Sequence, residues 1–328
     1  MMNDMEATEG LLHAYLFDGK GGGRYLTWSE VEVWDASMGR IWLHFDYTNA
    51  EAQDWVRNRS GLESIVSHAL LTEETRPRVA AIDDGLLIAL RGVNLNPGSD
   101  PEDMVSIRLW ATADRVISTR KRALLSTQDV LSKLKRGTGP KDSAELIVQL
   151  TDSLIWRMSD TVDMLEDKMA ELEDGSLSES RSTLRFELAS LRRQTISLRR
   201  YLSPEREALT RLMIEKVSWF DHDNHIKVRE VSDRLIRHLE DIDAVRERAA
   251  VTHEELLSRI SEQLNERMYV LSILSAVFLP LGFFTGLLGV NVGGIPGAEN
   301  TSAFMIFVGI LVVIVLFQVW LFRRNKWL

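Results

Sequence analysis

Two short stretches carry side chains with chemistry to offer. The first is Gly289-Val290-Asn291, followed by Gly293-Gly294-Ile295-Pro296-Gly297. Asn291 supplies a neutral carbonyl oxygen. A small divalent cation gives up its water reluctantly, so a ring of such oxygens could hold it through its hydration shell. The glycines permit unusual backbone angles at a tight mouth. Glu299 either adds a ring of carboxylates there or is a solvated loop charge. Gly-x-Asn is also a common turn. The second stretch is Asp221, His222, Asp223 and His225. His-x-x-His between carboxylates could bind zinc through nitrogen and oxygen. The competing reading is a polar turn that caps a helix with Asp223 or Asn224. No nucleophile stands with a base, so nothing points to an enzyme. Residues 19–23 lack the Lys-Ser/Thr ending of a phosphate loop and read as a plain turn.

The elements that must position Asn291 are legible. Residues 268–288 and 302–322 contain no charged side chain, and each run is long enough to cross ~30 Å of hydrocarbon as a helix. Residues 289–301 between them carry no Lys or Arg, whereas Arg323, Arg324 and Lys326 follow the second run. Positive residues stay on the cytoplasmic side, so both termini are expected inside and the short loop outside. Tyr269, Trp320 and Trp327 fall where an inner aromatic belt would lie. The N-terminus shows neither the basic nor the apolar region of a signal peptide.

Before the first run, Val228, Leu235, Ile242, Ala249 and Leu256 repeat every seven residues, with Val231, Leu239, Val245 and Ile260 between them. No Pro or Gly interrupts until Pro280. One helix from about Asn224 to Leu288 is predicted, and its apolar stripe requires partner helices. The expected partners are other copies of the chain, in a parallel homo-oligomer. Continued at helical spacing, the stripe reaches Asn265, Met268, Ser275, Leu279, Gly282 and Gly286. These residues either line a shared pore or pack helices through the small-residue pair Gly282 and Gly286. Pro280 frees the carbonyl of Ala276, which either faces water in a lumen or sits at a kink.

The chain as a whole is acidic, with 48 Asp and Glu against 39 Lys and Arg, a net charge of −9. That balance disfavours nucleic acid and suits cations. With no cysteine, disulfides and thiolate metal sites are excluded. Residues 1–140 read as a cytoplasmic α/β domain, with strands at 11–17, 40–46, 85–93, 104–111 and 114–119 and helices at 49–59 and 126–135. Residues 141–223 read as a helical hairpin with a connecting helix. Its first helix (142–174) is acidic and its second (177–201) basic, so the two are expected to pair face to face. The sharper alternative turns the acidic face to a lumen that gathers cations. The stalk (224–267), first membrane helix (268–288), outer loop (289–301), second membrane helix (302–322) and basic tail (323–328) follow.

This order, with Asn265-Glu266-Arg267-Met268, Leu279-Pro280-Leu281, Gly286 and Gly289-Val290-Asn291, resembles the CorA family of divalent-cation transporters, whose signature after the first membrane helix is Gly-Met-Asn. Val290 stands where the magnesium branch has Met. With the glycine-rich loop, this is similar to the zinc-transport branch. The resemblance implies an inner-membrane homopentamer with a cytoplasmic funnel. Asn291 would ring its outer entrance, and zinc would be the transported ion and could also bind in the cytoplasmic funnel, with no cofactor. A magnesium or cobalt channel is the alternative within the family. A membrane-anchored coiled-coil scaffold is the alternative outside it, but a scaffold gives no role to the glycine-rich turn.

Overall fold

The computed structural model describes residues 10–73, 76–175, 181–289 and 300–325. The chain packs as two parts, divided after His253. The first holds a seven-stranded sheet in the order β2-β1-β3-β7-β6-β5-β4. The strands are β1 (Leu11–Phe17), β2 (Gly23–Tyr25), β3 (Ile41–Asp46), β4 (Arg78–Ile82), β5 (Gly85–Gly92), β6 (Val105–Ala111) and β7 (Arg115–Arg120). Only β3 and β7 pair in parallel. The five expected strands are present within a residue or two, while β2 and β4 are additions. The 18–23 segment is a turn held by Asp18, whose carboxylate accepts from the backbone of Lys20 and Gly22 at 2.7 and 2.9 Å.

Alternation along β3 explains the two layers. Ile41, Leu43 and Phe45 face a core with Val31, Ala52, Val56, Val66 and Leu70. These come from α1 (Trp28–Glu32), α2 (Ala50–Asp54), the π-helical turn Trp55–Arg59, and α3 (Ser64–Leu71). Trp42 and His44 turn the other way, and both donate or share hydrogen bonds with Ser118 Oγ at 2.8 and 2.7 Å. Helix α4 (Leu125–Lys135) is tied to α5 (Ser143–Gly175) by Asp129, which accepts two bonds from Arg157 and one from Ser153, all at 2.6 Å.

Helix α6 (Arg181–Leu212) runs through Pro204 rather than ending near Tyr201. Helix α7 starts at His222 and continues unbroken to Leu288. The acidic and basic helices do not zip together directly. Among the described residues, α5 and α6 share only the pair Lys168–Glu187, at 3.7 Å. Helix α7 serves both instead. Its Lys227, Arg234 and Arg248 meet Glu145, Asp152 and Glu173 of α5, and its Asp243 meets Arg199 of α6. These ties set α7 along its neighbours. Val228, Leu235, Ile242 and Val245 are all fully buried in the single chain. The expectation that other copies cover this stripe is therefore corrected as far as Ala249: α5 and α6 supply the missing partners. Arg234 donates to Asp152 at 2.7 Å and lies 5.5 Å over the Trp156 ring.

One buried acid has a measurable consequence. Glu205 of α6 is fully buried; its Oε1 accepts from the backbone N–H of Arg91 at 3.1 Å and its Oε2 has no partner. Burial pushes its carboxyl up to about 8, against the opposing pull of Arg91. The folded chain therefore keeps this proton at neutral pH, while an unfolded chain releases it near 4.5. The contribution is fully present below that value and is lost as pH rises toward about 8. Wild-type stability is expected to fall across this window relative to Glu205→Gln, by a few kcal/mol in order of magnitude. Unfolding midpoints of both chains between pH 5 and 9 check this; parallel profiles would contradict it.

Candidate functional site and ion pathway

The second part comprises the end of α7 and helix α8 (Ala303–Arg324). Both helices hold stretches long and apolar enough to cross a membrane, with mean hydropathy 2.1 and 2.9 and no burial of those stretches within the chain. Exposed Phe278, Leu279, Phe283, Phe304 and Met305 would be intolerable in water. Hydrocarbon or neighbouring helices satisfy them.

The faces of α7 are distinguishable. Ile273, Ala276, Val277, Pro280 and Leu281 are partly covered. On that face Gln318 Nε2 of α8 donates to the carbonyl of Ala276 at 3.2 Å. This is the carbonyl that Pro280 deprives of its helical N–H. It is thus occupied by α8 and does not face a lumen. Its acceptor role also fixes the amide orientation, since only Nε2 can donate; Gln318 Oε1 remains unpartnered. Asn265, Met268, Ser275, Leu279, Gly282 and Gly286 occupy a different face, and all are exposed. A Cβ added at Gly282 or Gly286 would meet nothing within 4 Å. Packing against α8 is therefore not what these two glycines serve within one chain.

The Gln318 contact predicts a coupled pair. Gln318→Ala strands a carbonyl in an apolar setting and is expected to lower stability in detergent by ~1 kcal/mol. Pro280→Ala restores the N–H at that position, so in the double variant the loss should largely vanish. A double-mutant cycle on unfolding midpoints reads the coupling. Strictly additive effects would show that the contact carries no energy.

Helix α7 ends at Leu288, and the Gly289 N–H still donates to Thr285 O at 2.9 Å. Val290, Asn291 and Glu299 lie outside the described residues. In the turn before α7, Asp221 is the cap: its Oδ1 accepts from Asn224 N at 2.8 Å, and its carbonyl accepts from His225 N at 3.2 Å. Capping was anticipated from Asp223 or Asn224 and comes from Asp221. His225 packs edge-on against Phe220, with ring centroids 5.0 Å apart, and its Nδ1 is buried without a partner. Among the described residues no three His, Asp or Glu groups come together to hold a metal, so Asp221, His222, Asp223 and His225 do not form a ligand set in one chain.

The acidic face of α5 does gather charge. Burial pushes the Glu166 carboxyl up, and Asp241 of α7 and Asp163 add to the effect. His238 shares a 3.3 Å contact with Ser159, and burial lowers its affinity for a proton. Sequence reasoning missed the Gln318–Ala276 contact, although both ends were visible: a lone amide in an apolar run, and a proline four residues after a carbonyl.

A mixed α/β domain is thus followed by one long helix whose end, with α8, is long and apolar enough to cross a membrane. The chain belongs to the CorA family: the family model described as CorA-like Mg2+ transporter protein matches residues 37–324. It is thus a divalent-cation transporter and not an enzyme. It is similar to the divalent cation transporter CmaX of Pseudomonas aeruginosa, at 41% identity over 322 residues and 97% of each chain. The solved full-length CmaX structure matches with a TM-score of 0.85 at 40% identity, covering 97% of this chain and 98% of that one. The zinc transport protein ZntB of Yersinia pestis is 40% identical over 317 residues, 97% of this chain and 96% of its own. The CorA magnesium transporter of Methanocaldococcus jannaschii shares the fold, with a TM-score of 0.81 at 18% identity over 96% and 99% of the two chains.

Proposed function

We propose that this chain carries zinc across a bacterial inner membrane as a homopentamer. The end of α7 from each copy lines the pore, and Asn291 rings the outer entrance. The observation that carries the reading is the uncharged α7 stripe, Asn265 to Gly286, exposed and turned away from the face that α8 touches. Two helices from one chain cannot enclose a path, so the stripe needs other copies around an axis. Both termini lie in the cytoplasm, with Arg323 and Arg324 holding the end of α8 inside. Zinc is favoured over magnesium by Val290 and by the 40% identity to ZntB. Glu299 adds negative charge at the mouth, and the α5 acids concentrate cations on the inner side. A zinc ion held by His222 and His225 would need ligands from a second copy or from water.

Uptake into sealed vesicles containing purified protein tests this. Zinc is expected to enter in preference to magnesium and cobalt. Magnesium flux undiminished by excess zinc would move the chain to the magnesium-transporting group. No flux of any divalent ion would defeat the pore.

A further inference from the structure

One cavity is lined wholly by residues of the N-terminal part. It measures about 350 Å3 and is lined by the end of α1, Trp34, the β3 residues Ile41 and Leu43, Trp55 and Arg59 of the π-helical turn, and Arg115 at the start of β7. That volume is within the range of small-molecule sites. Arg115 sits beside Ile41 in the parallel register, at the floor. Its Nη1 donates to the Ser60 carbonyl at 2.9 Å, and no carboxylate pairs with it among the described residues. Burial alone pushes its guanidinium down from its ordinary value. A half-buried cation without a counter-charge is costly unless something anionic completes it.

The walls narrow the choice of anion. Trp55 is buried and stacks on Phe45, with centroids 4.9 Å apart, so it is a fixed surface. Trp34 is held by a 3.0 Å bond from its indole N–H to the Gly39 carbonyl. The turn that presents Trp55 and Arg59 is π-helical, closed by the Ser60 N–H on the Trp55 carbonyl at 2.8 Å. Such turns break the helical ladder and often occur where side chains serve a site. Arg59 is a second cation at the rim, 3.5 Å from both Glu32 and Asp54. At that distance its donors are only loosely engaged.

We propose that this cavity binds a small aromatic carboxylate, with its ring against the tryptophan walls and its carboxylate on the Arg115 guanidinium, and with Arg59 as a second donor in competition with Glu32. Two rigid indoles select a planar body, and the guanidinium fork matches a carboxylate.

The test uses the full-length chain in detergent with 4-fluorobenzoate, followed by fluorine NMR, against neutral 4-fluorobenzamide and ringless fluoroacetate. Saturable binding of the benzoate at about 1 mM or tighter is expected, and neither control should saturate in that range. Arg115→Met should weaken benzoate binding at least ~10-fold, ~1.4 kcal/mol, in protein that remains folded. Glu32→Gln, on the exposed rim, should tighten it by leaving Arg59 with Asp54 as its one carboxylate neighbour. If Arg115→Met fails to fold, Glu32→Gln decides, and unchanged or weaker binding there overturns the proposal. So does equal binding of benzoate and benzamide, or no saturation by benzoate.

Discussion

Asn291→Ala should remove most of the zinc flux while leaving the chain folded and assembled. In the proposed pore, the stripe on α7 puts the first membrane-spanning helix on the axis; that helix ends at Leu288, just before Asn291. The side-chain amide then offers oxygens that accept hydrogen bonds from the water around a divalent ion. Ala keeps the backbone and removes every acceptor in the ring at once. Each charge-assisted bond is worth roughly 1.5–3 kcal/mol where water cannot replace it, so losing even one costs about tenfold in capture. Asn291→Asp should act in the opposite direction, holding the ion more tightly and slowing its release. Flux assays in vesicles, with oligomer size checked in parallel, decide between them. Undiminished flux through folded Asn291→Ala would return this residue to the class of turn formers.

The second large effect concerns the N-terminal part. Ile242→Asp should unfold it, because Ile242 is fully buried in the bundle that α7 makes with α5 and α6. A carboxylate there loses an apolar contact and strands a charge, together on the order of 4–5 kcal/mol or more. That is a large share of the stability of an ordinary domain. Leu235→Asp should do the same. From the heptads alone, these substitutions would be expected to separate intact protomers. The structure instead predicts loss of helical signal and aggregation. Arg234→Ala should cost about 1 kcal/mol, through Asp152 and Trp156. Well-folded, monomeric Ile242→Asp would contradict the intrachain packing.

How far the sequence could be read follows from the kind of signal each element leaves. The two charge-free runs could be little else than membrane helices. The α7 repeat announces a stripe that must be covered, but periodicity does not say by what. Here the stripe is buried within the same chain, where α7 is tied to Asp152 of α5 and Arg199 of α6. Strand β2 has three residues, one of them Arg24, and no alternation to detect. Strand β4 depends on a hairpin turn in which Asp83 adopts φ +49, a conformation that Asp tolerates but does not demand. In the site, Asn291 stood out through its spacing and its resemblance to a family signature. The Gln318 amide could not be joined to the Ala276 carbonyl without the tertiary structure.

The central claim is that one face of the membrane-spanning part of α7 lines the ion path, and the absence of native cysteine makes it directly measurable. Single cysteines at Ser275, Leu279, Leu274 and Phe278 would be tested for block of zinc flux by a membrane-impermeant thiol reagent. Block at Ser275→Cys and Leu279→Cys, with flux unaffected at Leu274→Cys and Phe278→Cys, is the predicted result. Block confined to Leu274 and Phe278, or equal at all four, would contradict it.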